Sequence, residues 1–239
     1  MAEVLTTAQS VKRGNNMQTI ETNNLIFEDY TNISYFNDLV FYVDEHEQEV
    51  LETFRIPELS SKWKVIIMPF EDFKNLVIKK YGEYEDYMAG YADSDERIIR
   101  CLNVEDQIKY TKHKEANLEK LQKQIVHEFV HACYSEVVVK GNRVHWFNEG
   151  LATYLSHQDR DFVDISNIDF NLLLNDFNAT HGAGYTTAYL IEKYIFENYS
   201  SDEIYKMIID PYYLISKTKE IINDSVEWIK DRVNNSTKK

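Results

Sequence analysis

Gln124-Ile-Val-His127-Glu128-Phe129-Val130-His131-Ala132-Cys133 is the stretch on which the reading of this chain turns. On a helix, His127 and His131 stand four residues apart and project from one face, separated by about one turn of rise. Two imidazoles so placed are able to hold one zinc ion, with Glu128 beside them to take a proton from activated water. Phe129, Val130, Ala132 and Cys133 carry no charge, as expected of a buried helix that presents one wet face to a cleft. Cys133 lies about 200° around the helix from His131 and reads as a small core residue.

Downstream stands His145-Trp146-Phe147-Asn148-Glu149-Gly150-Leu151-Ala152, and 17 residues separate His131 from Glu149. That distance lets the first helix end, a loop cross and a second helix begin. Glu149 is then a candidate third ligand, leaving a fourth position open for water or substrate. A glycine directly after it would let two helices approach closely. His145 is the rival third ligand, although a cleft-lining or structural histidine accounts for it equally well.

The pair of motifs resembles the gluzincins, zinc peptidases that share the pattern HExxH, a gap of about 18–20 residues, and a helix reading NEGxA. The resemblance covers roughly residues 35–200. It implies that His127, His131 and Glu149 hold one Zn2+ per chain, with Glu128 as general base and later proton donor. It also implies a phenol or imidazole that steadies the oxyanion, placed at the start of a later helix. Gly184-Tyr185-Thr186-Thr187-Ala188 has that character, which makes Tyr185 the candidate and His181 the alternative. A metzincin is excluded, because Gly and His are required where Tyr134 and Val137 stand. Two departures from the gluzincin pattern bear on activity. Met88-Ala89-Gly90-Tyr91-Ala92-Asp93 lacks the Glu with which aminopeptidases grip a free amine, which favours cleavage within a chain. Thr153 stands where thermolysin-like enzymes place an Asp behind a zinc-bound His. The resemblance further implies that an edge strand near Ala89–Ala92 pairs with extended substrate, as β-augmentation allows.

Outward from the motifs, apolar spacing predicts helices over 33–55, 70–81, 115–137, 147–156, 185–199, 202–209 and after Pro211. Strands are expected at Trp63–Met68, Tyr87–Ala92 and Arg97–Leu102, and 157–184 reads as polar loop. Strands early and helices late indicate an α+β fold. The expected form is a small mixed sheet with an edge strand in the N-terminal half, packed on the zinc-binding helix, and a helical C-terminal half. Residues 1–24 read as a loose arm, 25–200 as the peptidase domain, and 201–239 as helices packed on that domain.

The 239 residues include 7 Gly and 3 Pro, too few for a linker-rich or collagen-like chain. A net charge of −14 argues against binding a phosphate backbone. No run of 18 apolar residues exists and the first residues have no hydrophobic signal core, so a soluble, cytoplasmic protein is expected, with no membrane partner. Two cysteines fit a reducing compartment. Residues 145–184 carry six Asp/Glu against Arg160 alone, so the expected partner is a peptide or protein substrate, with cationic ones favoured. Oligomeric state is left open. The alternative function is a zinc-stabilised binding or regulatory module of the same fold that has lost turnover. A third alternative is a scaffold in which these residues never meet. Retention of Glu128 speaks for the enzyme over the module.

Overall fold

The computed structural model describes residues 17–139 and 142–236, and they divide into two compact units. The first takes the chain through Ala132 except for Glu52–Arg55, and the second takes those four residues and everything from Cys133 onward.

The first unit carries a five-stranded sheet in the order β1-β2-β3-β5-β4. Its strands are β1 (Gln18–Glu21), β2 (Leu25–Asp29), β3 (Trp63–Met68), β4 (Gly90–Asp93) and β5 (Ile98–Leu102). The pairs β1/β2 and β4/β5 are antiparallel, whereas β2/β3 and β3/β5 are parallel, so the sheet is mixed as expected. Parallel neighbours need a crossover. Helix α1 (Phe36–Thr53) connects β2 to β3, and α2 (Phe70–Tyr81) lies in the connection from β3 to β5. Leu25, Phe27, Trp63, Val65, Ile67, Ile99 and Cys101 have no exposed surface and form the centre of the sheet's core. Helix α2 has the predicted bounds and ends at Gly82, whose φ of 92° is the left-handed cap. The β4–β5 turn is held by Asp93, whose Oδ1 accepts from the amides of Asp95 and Glu96.

The sheet corrects the reading of the N-terminal residues. Residues 1–16 of the expected arm lie outside the described residues, but Gln18–Glu21 forms β1 and pairs with β2. Neither strand was expected. Each is five residues or fewer, too short for periodicity to register, and pairing alone makes them strands. Helix α3 (Val104–Tyr110) was also unforeseen; Asn103 caps it by accepting from the Asp106 amide.

Helix α4 (Leu118–Val137) runs across the residue boundary of the two units. The second unit holds α5 (His145–Leu155), α6 (Phe170–Asn175), a 3₁₀ turn (Phe177–Thr180), α7 (His181–Asn198), α8 (Ser201–Ile209) and α9 (Pro211–Ser236). Part of the expected loop 157–184 is therefore helical, and α7 begins at His181, before both glycines that read as loop. Gly182 and Gly184 each cost a helix about 1 kcal/mol. Packing of α7 on α5, where Ala188, Leu190 and Ile191 are wholly buried, offsets that cost. Among the described residues, no helix is long and apolar enough to cross a membrane.

Candidate metal centre

Helix α4 is apolar on most of its circumference: Leu121, Ile125, Val126, Phe129, Val130, Ala132 and Cys133 are at most 1% exposed. Gln124, His127, Glu128 and His131 are among its partly exposed positions. The i,i+4 spacing brings the two imidazole rings together edge to face, with centroids 4.8 Å apart. Their Nε2 atoms stand 3.1 Å from each other. A tetrahedral zinc with Zn–N of about 2.05 Å sets neighbouring donor atoms about 3.3 Å apart, so this pair already has the required bite.

Glu149 completes the group. One ligand atom from each of His127, His131 and Glu149 lies within 4.8 Å of the others. Two imidazoles and one carboxylate are the donor set of an open catalytic zinc site, so the residues fit that metal. Glu149 is 9% exposed and sits in the second turn of α5, flanked by buried Asn148 and Gly150. A Cβ at Gly150 would meet the Ala188 carbonyl oxygen at 2.9 Å and Glu192 Oε2 at 3.3 Å. Only glycine therefore lets α5 lie this close to α7, and it follows the candidate ligand directly. Thr153, fully buried, donates its hydroxyl to the Glu149 carbonyl oxygen at 2.8 Å, so it serves the helix backbone.

Edge strand β4 approaches α4 within the first unit. A Cβ at Gly90 would be 2.8 Å from Gln124 Nε2, which places the strand one turn before Glu128 on that helix. Among the described residues β4 stands at the end of the strand order and pairs with β5. Burial together with the charges of Tyr91, Asp93 and Glu128 pushes the Tyr81 phenol up to about 12. Burial, reinforced by Glu128, also raises the Cys101 thiol well above its ordinary value and leaves it an inert core group.

Tyr185 lies in the second turn of α7, later in its helix than expected, because α7 starts four residues earlier. Its ring meets the buried Phe177 edge-on at 5.1 Å, and Phe177 in turn faces His145 at 4.9 Å. His145 Nε2 lies 3.5 Å from Glu149 Oε1. Successive contacts in the second unit thus link Tyr185 to Phe177, Phe177 to His145 and His145 to Glu149. The side chain of His181 lies outside the described residues.

Sequence reasoning passed over Glu192. It is wholly buried on α7, burial holds its carboxyl well above the usual range, and neither oxygen has a hydrogen-bond partner among the described residues. A signal was present: Glu192 follows Ala188 and precedes Ile195 at helical spacing, a charge inside an apolar stripe. No family model and no curated protein matches the chain.

Proposed function

We propose that the chain is a cytoplasmic zinc-dependent metallopeptidase of gluzincin type that cleaves within peptide chains. The observation that carries this reading is the convergence of His127, His131 and Glu149 within 4.8 Å, with Glu128 on the same helix as the two histidines. Bound zinc would supply Lewis-acid polarisation of the scissile carbonyl and a more acidic water.

The chain's own residues do the rest. Glu128 takes the proton of the attacking water on a carboxylate oxygen as the new C–O bond forms. It returns that proton to the amine nitrogen as the C–N bond breaks. Tyr185 donates its phenol hydrogen to the developing oxyanion. The outer edge of strand β4 pairs with the extended substrate backbone. Absence of an amine-gripping Glu in Met88–Asp93 leaves the substrate's N-terminal side unrestricted.

Acids between Glu149 and Tyr185 favour cationic peptides. Asp164 and Asp169 accept backbone amides of their own turns, and the Ser166 bonds hold the Asp164 carboxyl below the usual range, so its charge persists.

Incubation of zinc-loaded protein with an unbiased peptide library tests the reading. Internal cleavage is expected, with Glu128→Gln keeping its zinc and losing about 10²- to 10⁴-fold in turnover. A several-fold preference for Lys- or Arg-containing peptides should shrink as salt rises from about 0.02 to 0.5 M. Zinc uptake without cleavage of any peptide would instead favour the binding module, and equal turnover by Glu128→Gln would sink the mechanism.

A further inference from the structure

We propose that His145 is the positioning residue of Glu149, holding the carboxylate in the orientation that a metal requires. The inference rests on reading the His127–His131–Glu149 group as a metal centre. A glutamate that gives a metal one oxygen leaves the second to be satisfied elsewhere, and a carboxylate only 12% exposed has little water to do so. Outer donors of this kind fix the ligand's rotamer and are worth about 10- to 100-fold in metal affinity.

His145 has the position and the chemistry for this task. It lies one turn before Glu149 on α5, so the two side chains share a face. Its Nε2 is 3.5 Å from Glu149 Oε1, the long limit of a hydrogen bond, and such contacts tighten when a site is loaded. A neutral imidazole with its hydrogen on Nε2 is a sufficient donor. The ring is 49% exposed on one side but is not adrift. Phe177, only 3% exposed, stands against it with centroids 4.9 Å apart and restricts the ring's rotation. Because Phe177 also meets Tyr185, the same wall orients the third ligand and the candidate oxyanion donor. The ligand atoms that converge within 4.8 Å are those of His127, His131 and Glu149, a group that does not include His145.

The experiment measures zinc affinity by competition with a chromogenic chelator, and the d–d spectrum of the cobalt-substituted protein. It compares the full chain with His145→Ala, His145→Gln and Phe177→Leu. His145→Ala should still take up one zinc, about 10- to 100-fold more weakly, with a shifted cobalt spectrum of unchanged coordination number. His145→Gln keeps an N–H donor at nearly the same reach and should recover most of the affinity. Phe177→Leu should fall between the two. Wild-type affinity in His145→Ala overturns the proposal while leaving the metal reading intact. So does a His145→Gln protein as weak as His145→Ala, which would mean that the ring only packs. A far larger loss, with a nitrogen ligand missing from the cobalt spectrum, makes His145 a ligand and also overturns it. Failure of the wild-type chain to take up zinc overturns the metal reading, and this inference with it.

Discussion

The two units treat their glutamates differently, although each places one at or beside the candidate metal centre and hides another in its core. In the first unit, Glu128 lies partly exposed on α4, and Glu47 on α1 is 5% exposed. Asn24 donates to Glu47 Oε1 at 2.9 Å, and with Lys62 nearby the carboxyl is pushed up by burial only to about 7. In the second unit, Glu149 is nearly buried and Glu192 is completely so. No donor reaches either oxygen of Glu192 among the described residues, and burial holds its carboxyl well above the usual range. The difference shows what one amide and one ammonium do for a desolvated carboxyl. They oppose the burial of Glu47, whereas burial alone acts on Glu192.

The largest expected effect separates the two glutamates of the candidate site. Glu149→Ala should weaken zinc binding by at least about a thousandfold, while Glu128→Gln leaves it nearly unchanged. Equilibrium dialysis against a zinc buffer reads both, and equal affinities in the two variants would erase the distinction between ligand and base.

Next in size is the titration of Glu47. Its unfolded-state value is 4.5 and its folded value about 7, so between those pH values the folded chain binds more protons than the unfolded one. Stability should therefore fall as pH rises from about 4.5 to 7, by at most about 3 kcal/mol, and stay level above. Asp44, also raised by burial, adds to the same slope. Urea unfolding across this range should show the slope in the wild type and a much flatter line in Glu47→Gln. A stability that climbs over the same interval would contradict the burial argument.

Glu192 supplies the smallest effect. Replacement by leucine removes a buried polar group with no partner and keeps much of its volume, so Glu192→Leu should raise stability at pH 8 by about 1–3 kcal/mol. Thermal unfolding decides this. A marked destabilisation would mean that the carboxyl has a partner or role in solution that the packing against Gly150 does not reveal.

Legibility followed the strength of local patterns. Helix α2 was read to the residue, because its apolar stripe, its closing Gly82 and the preceding Pro69 all agree. The histidine pair was equally plain, since i,i+4 geometry follows from helicity alone. By contrast, β1 and β2 carry at most five residues each and depend on a partner strand for their identity. The start of α7 was misplaced because Gly182 and Gly184 are locally unfavourable, and only burial against α5 outweighs them. For His145 the sequence leaves a ligand and a cleft-lining or structural histidine both open, and its contact with Phe177, 32 positions away, is beyond any local pattern.

By itself, the sequence determined the α+β class, the helix that carries His127, Glu128 and His131, and the candidacy of Glu149. These rest on periodicities and spacings that act over a few turns of backbone. The tertiary structure alone decided that Glu149 comes within 4.8 Å of both histidines, that Glu192 lies buried behind Gly150, and that Phe177 stands against His145. Such contacts depend on where distant segments come to rest, and that is set by the packing of whole helices and by no local preference.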